Sequence, residues 1–466
     1  MTSPLSFAPA AERGLSRRSS NSLLDSVLLC GACGLLLFGP LAFGAVEAWS
    51  IAVLQVGTGL LFVLWAAGQV ASGELEIVEN PLSPPMLIFA GLVLWQLASG
   101  RTAYRAETFS TALLYCTYGL LCFLVVQCLR RTSQLKAVAW VFSGYGFAIA
   151  IFALMQSIAS NGKLYWLRTP QSAGWIYGPY VNHNHYAGLM EMLMPIPLVI
   201  SFVGGVRGPR KALAVLAAAL MASTIFLSGS RGGMAAFAAQ MFLLAVFLLK
   251  RRKDRMATFA LACFLGLELV LLAWLGGGEL PERMASIHSG TQVELSGGTR
   301  LKIDRDALKM FAQKPLMGWG LGVFPDIYPQ FSSLSSNLQV GAAHNDYLQL
   351  LVEMGTIGFA ALLWFLLTLF RSAVKKSKHW PPGTNTAVTL AAMLGVTGIL
   401  VHSVVDFNLQ IPANAALFYV LCVLAVMEPR FGRHSHMYRA SAGLQSVGLP
   451  SHPVEPFAHF QQTSSE

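Results

Sequence analysis

Charge is what this sequence has least of. Of 466 residues, 32 are Lys or Arg and 22 are Asp or Glu, so 12% are charged, against about 25% in an ordinary soluble domain. Half the usual charge cannot solvate a soluble surface, and a chain that is 55% hydrophobic is not disordered. Cysteine is also sparse. All seven (Cys30, Cys33, Cys116, Cys122, Cys128, Cys263, Cys422) lie within or at the ends of apolar runs, which excludes a secreted disulfide scaffold and marks no metal site. No composition break separates a globular unit from a single anchor. No internal repeat is visible, which argues against a transporter built from two related halves.

Apolar blocks are what the chain does have. They run near 23–44, 50–71, 85–99, 109–129, 137–159, 185–205, 212–228, 234–249, 257–276, 347–370, 386–405 and 412–427. About 20 apolar residues span a bilayer core as a helix, and lipid leaves the backbone no other way to satisfy its hydrogen bonds. The expected fold is an all-α polytopic membrane protein of about twelve transmembrane helices. Residues 23–427 form the helical domain, with one long outer loop at 277–346. Residues 1–22 lack an apolar core or cleavage site and are expected to be a disordered cytoplasmic tail, not a signal peptide. Residues 428–466 are expected to form a cytoplasmic tail.

The net charge of +10 is a matter of topology. With the N-terminus inside and twelve alternating spans, 21 of the 32 cations fall on inner segments and 11 outside, six of these in the long loop. That bias predicts a cytoplasmic N-terminus, and clustering between spans excludes nucleic acid as partner. The inner loop around Glu74–Glu79 holds no cation and runs against the trend.

The polar exceptions to the apolar pattern converge on the outer side, and polar groups at membrane depth are costly. Arg231 sits in the Gly/Ser turn Ser228–Gly233. It is either part of an anion pocket or a hairpin arginine reaching the headgroups. In the long loop, Thr299–Phe311 has helical spacing, with Leu301, Asp304, Leu308 and Phe311 on one side, Thr299 as N-cap and Pro315 beyond the end. Arg300 would occupy the first turn, where the helix dipole disfavours a cation. It therefore either serves an anionic ligand or is solvated. Gly318–Phe324 reads as a packed turn, since no βαβ unit surrounds its glycines.

His344 opens span ten with Asn345 or Asp346 as cap. It is either a base for an incoming hydroxyl or a structural cap histidine. Asn182–Tyr186 opens span six, and His183 and His185, at i and i+2, share no helix face for a zinc site. His402 and Asp406, at i and i+4, are expected to pair and orient helices. Glu191, Glu268 and Glu353 lie inside spans and must face protein or be protonated.

Five stretches carry a family resemblance: GPYVNHNHYAGLMEMLMP (178–195), SGSRGG (228–233), PLMGWGLGVF (315–324), AHNDYLQLLVEMGTIG (343–358) and HSVVDFNLQIPAN (402–414). In this order they resemble the O-antigen ligase family, which includes O-antigen ligases, oligosaccharide polymerases and protein O-oligosaccharyltransferases. The first 130 residues match only as a generic bundle.

The resemblance implies a membrane-embedded, metal-independent, inverting glycosyltransferase of the bacterial inner membrane, with no cofactor. It would move a glycan from a polyprenyl-diphosphate (undecaprenyl-type) carrier to a hydroxyl of lipid A-core (for lipopolysaccharide), glycan or protein at the periplasmic face. It maps the essential histidine to His344. The diphosphate-binding arginines map to Arg231 and Arg300, with Arg305 as a substitute for the latter. Asn182, His185, Asn345, Asp346, Tyr347 and Asp406 are supporting candidates. The nearest rival is an oligosaccharide-repeat polymerase of the same superfamily, for O-antigen or exopolysaccharide. A lipid-linked glycan flippase is the rival from another class.

Overall fold

The computed structural model describes residues 10–73, 75, 77–169, 175–250, 255–276, 297–334, 340–379 and 383–427. The C-terminal tail expected at 428–466 lies outside them, as do residues 277–296 and 335–339 of the long loop. The described residues form helices and no strand. They are α1 Ala10–Leu41, α2 Ala48–Ser72, α3 Ser83–Ala98, α4 Arg105–Cys128, α5 Thr132–Ile158, α6 His183–Leu193, α7 Pro195–Val203 and α8 Pro209–Leu227. Then come α9 Arg231–Lys250, α10 Arg255–Gly276, α11 Gly297–Gln313, α12 Phe324–Ile327, α13 Asp346–His379, α14 Thr384–His402 and α15 Pro412–Val426.

Among the described residues, nine helical stretches are long and apolar enough to cross a membrane, and Ser83–Ala98, Thr258–Trp274 and Pro412–Val426 are shorter apolar helices. Together they coincide with the twelve apolar blocks. The chain is an all-α, multi-pass membrane protein. Helix α1 begins at Ala10, so residues 10–22, expected in the tail, are helical; residues 1–9 lie outside the described segments.

The sixth block is broken and buried. Pro195 and Pro197 lack the N–H that would continue α6, so the chain divides into α6 and α7 at Met194. Pro195 leaves the Glu191 carbonyl without its i+4 donor. Gln240 of α9 takes that place, its Nε2 donating to Glu191 O at 2.8 Å and to Leu394 O of α14 at 3.1 Å. Every residue of α6 is buried, whereas α2 exposes Val56, Leu60 and Val63, as a lipid-facing helix does. Helix α14 packs against α6, α7, α9 and α15 and ties the centre together.

Helix α11 rests on α13 through Ile303, Ala307 and Met310, which are buried with Phe324, Tyr328 and Val352. This corrects the expected face: Leu301 and Leu308 are both 52% exposed. The buried side includes a carboxylate that apolar periodicity cannot reveal. Asp306 accepts from Ser333 N at 2.7 Å, Ser333 Oγ at 2.8 Å and Lys309 Nζ at 2.8 Å. Burial works against its ionisation, but these donors hold its carboxyl below the usual range. Thr299 is not the cap, because α11 starts at Gly297.

Helix α13 breaks at Gly355, where φ is 63°. The opened backbone receives the loop before α12. Trp319 N donates to Val352 O at 3.0 Å, Gly320 N to Glu353 O at 2.9 Å, and Thr356 N to Pro315 O at 2.8 Å. A Cβ on Gly355 would collide with the Leu316 carbonyl, and one on Gly318 with that of Glu353. The two strands of backbone meet only because both positions are glycine. Glu353 then receives Gly322 N at 2.8 Å, Gln349 Nε2 at 3.1 Å and Phe324 N at 3.4 Å, which gives this intramembrane carboxylate its structural role. Glu268, on α10, accepts from Ser223 Oγ of α8 at 3.1 Å.

Candidate functional site

The N-terminal ends of α6, α9 and α13 meet the C-terminal end of α14 and the turn that follows it. That turn, residues 403–411, is polar where the helices around it are not. It is held by Asp346, the first residue of α13. Ser403 Oγ donates to Asp346 Oδ2 at 2.7 Å, Leu409 N to the same oxygen at 3.1 Å, and Gln410 Nε2 to Oδ1 at 3.3 Å. Asp346 N in turn donates to Ser403 O at 3.0 Å. Asp346 is therefore a clamp between α13 and the turn, while Asn345 is the cap of α13, accepting from Leu348 N at 3.1 Å.

Asp406 projects from the turn between two histidines. His344 Nδ1 lies 3.6 Å from Asp406 Oδ1, and His185 Nε2 lies 4.0 Å from the same oxygen. Both rings meet Phe407 edge-on with centroids 4.7 Å apart. His344 has φ 54°, a left-handed backbone that costs a non-glycine residue about 1–3 kcal/mol and must be imposed by its surroundings. Burial opposes ionisation of Asp406. The imidazoles of His344, His185 and His402 and the Arg300 guanidinium outweigh it and hold the carboxyl well below the usual carboxylate range.

Asp406 does not pair with His402 as the i, i+4 spacing predicts. The chain leaves α14 at His402 and turns, so the two side chains point to different partners. His402 Nδ1 is 2.8 Å from Glu191 Oε1 of α6, and its Nε2 is 3.4 Å from Ser230 Oγ. Ser230 caps α9 by accepting from Gly233 N at 3.1 Å. Arg231 is the next residue, the first of α9, and it is exposed. Arg300 reaches the same turn from α11, its guanidinium donating to Val405 O at 2.6 Å. Asp304, one turn further on, lies under the influence of both His344 and Arg300; burial raises its carboxyl above the usual value, and those two groups offset only part of the rise.

The structure thus gathers His344, His185, Asp346, Asp406 and Arg300 around one turn, with the Arg231 loop joined to it through His402. It does not gather all the sequence candidates. Arg305 is exposed on α11. Asn182 caps α6 by accepting from Asn184 N at 2.8 Å. Tyr347 turns to α14, its hydroxyl donating to Leu400 O at 2.7 Å.

Phe407, Asp304, Glu191, His402 and Ser230 were not named as site residues from sequence. Phe407 lies in the 402–414 stretch with no polar group to mark it, and Asp304 stands at i+4 from Arg300. Glu191 signalled itself only as a carboxylate in a span. The arrangement provides a histidine backed by an anion, with the Arg300 guanidinium on the same turn and the Arg231 turn joined to it through His402. That set can accept a proton and bind an anionic leaving group.

Comparison with curated proteins finds no match. Residues 216–363 match the family model described as O-antigen ligase. The match takes in Arg231, Arg300 and His344, while the histidines and carboxylates that surround them at 185, 191, 402 and 406 lie outside it. On that matched segment, within an all-α multi-pass membrane chain, the protein is similar to the O-antigen ligase family.

Proposed function

We propose that the protein transfers a glycan from a polyprenyl-diphosphate carrier to an acceptor hydroxyl at the periplasmic face of the bacterial inner membrane, as a metal-independent, inverting glycosyltransferase. The family match supports a glycosyltransferase of ligase or polymerase type. The observation that carries the finer reading is the contact of His344 Nδ1 with the buried, ionised Asp406.

An anion at Nδ1 keeps the proton on that nitrogen, so Nε2 is the free base. There His344 takes the proton of the acceptor hydroxyl as its oxygen attacks C1 of the donor sugar. The new C1–O bond forms opposite the old one, and the bonding electron pair of the old bond departs with the diphosphate. Arg231 and Arg300 meet the charge that develops on the leaving phosphate, where fixed cations near lipid act more strongly than in water. Asp346, by clamping the 403–411 turn to α13, keeps Asp406 opposite His344. The carrier tail stays in the bilayer beside the bundle.

The test is transfer in proteoliposomes from a defined polyprenyl-diphosphate glycan to a panel of acceptors. His344→Ala should insert normally and transfer nothing. Near-normal turnover in that variant overturns the assignment.

A further inference from the structure

Arg231 is one of the proposed diphosphate ligands, and it stands in a Gly/Ser turn in which Ser228 Oγ accepts from Ser230 N at 3.4 Å and Ser230 Oγ from Gly233 N at 3.1 Å. A further restraint comes from His402. Ser230, on one side of Arg231, has its hydroxyl 3.4 Å from His402 Nε2. Gly232, on the other side, lies so close to the His402 ring that a Cβ there would overlap Cδ2 and Nε2. A Cβ on Gly233 would come within 3.1 Å of Glu191 Oε1. The two residues flanking Arg231 therefore both rest on one imidazole.

That imidazole is itself held from the far side by Glu191 Oε1 at 2.8 Å. All three groups are inaccessible: Ser230 and Glu191 are 0% exposed and His402 1%. A buried carboxylate–imidazole pair against a helix cap is costly to desolvate, and such pairs are retained where they fix a geometry. Glu191 sits on α6, Ser230 before α9 and His402 at the end of α14, so the unit locks three helices at the base of the Arg231 turn.

We propose that Glu191, His402 and Ser230 form a positioning unit that sets Arg231 against the donor diphosphate. The unit acts on donor binding, since none of its side-chain hydrogen bonds reaches His344. Glu191 fixes the ring orientation of His402 through Nδ1. His402 then presents Nε2 to the Ser230 hydroxyl, whose oxygen simultaneously caps α9 through Gly233 N. With that cap and the glycine contact in place, Arg231 leaves the turn in one direction. The inference rests on the reading of Arg231 as a diphosphate ligand.

The experiment measures donor and acceptor KM and kcat in proteoliposomes with a defined polyprenyl-diphosphate glycan. The variants are Glu191→Ala, Glu191→Gln, His402→Ala, Ser230→Ala and Arg231→Ala, alone and combined. Glu191→Ala should raise donor KM about tenfold or more, the effect of losing a charge-assisted hydrogen bond, with acceptor KM unchanged. Glu191→Gln should recover most of this, because its amide oxygen still accepts from Nδ1. In the Arg231→Ala background the same changes should have no further effect on donor KM.

Equal losses for donor and acceptor, or effects that multiply with Arg231→Ala, would overturn the inference. Should His402→Ala yield no folded protein, Ser230→Ala and Glu191→Gln still decide the matter, since each keeps most of the packing volume. An Arg231→Ala protein with unaltered donor KM would instead overturn the reading of Arg231 itself.

Discussion

His344 and His185 approach the same oxygen of Asp406, at 3.6 Å and 4.0 Å, from helices α13 and α6. One carboxylate thus serves two imidazoles that are far apart in the chain, and Phe407 lies edge-on to both rings. In the proposed mechanism His344 is the base and His185 its support.

Asp406→Asn should therefore lower kcat by about 10³-fold while leaving the donor KM nearly unchanged. An amide does not hold the imidazole tautomer as a carboxylate does. Steady-state transfer assays on purified protein would show it, and a variant with wild-type kcat would remove Asp406 from the mechanism.

Arg300→Ala should weaken donor binding by at least tenfold, whereas Arg305→Ala should have little effect, because Arg300 reaches the turn at Val405 and Arg305 is exposed on α11. Arg231→Lys should be nearly as poor as Arg231→Ala, since a point charge does not reproduce a planar fork on a phosphate. Competition with a non-transferable polyprenyl diphosphate measures all four.

Asp306→Asn should loosen α11 from α13 by about 1–3 kcal/mol, the cost of weakening a buried acceptor of several donors. The exposed Lys309 contributes little of it. The folded carboxyl is depressed below its unfolded value near 3.9. Its stabilisation is therefore fully present above about pH 5 and lost as pH falls through the folded value. Hydrogen exchange across 297–313 at pH 7 and pH 3 should show protection falling in the native protein and already low in the variant.

Gly355→Ala should destabilise the protein by more than about 1 kcal/mol, because a side chain there is both left-handed and in collision with Leu316. A lower detergent-melting temperature is expected. The damage should spread to activity, since the loop seated on Gly355 carries α12 and the packing that supports α11.

Comparing glycans from a strain lacking the protein would separate the ligase from its nearest rival. Loss of a ligase leaves long polymer on its carrier. Loss of a polymerase leaves single repeats.

Twelve apolar helical stretches among the described residues were legible because lipid permits a long apolar run one structure, and runs such as 50–71 need no partner to declare it. The sixth block was expected as one span, and Pro195 and Pro197 divide it into α6 and α7. The side that α11 buries was not legible. Leu301 and Leu308 repeat with a helix period, but Asp306 is buried through donors from residue 333, which no local pattern contains. His344, Arg231 and Arg300 stood out as polar residues at helix starts near the membrane. Their partners did not.

Composition and apolar periodicity by themselves determined that this is a polytopic helical protein and pointed to the helix ends where its polar groups collect. Tertiary structure alone decided which of those groups meet. The spacing of His402 and Asp406 suits a pair, yet the chain turns between them. His402 goes to Glu191 and Ser230, and Asp406 to His344 and His185. Local sequence sets which residues share a helix face, but a buried charge is satisfied by whichever opposite group the packing of distant helices brings within reach.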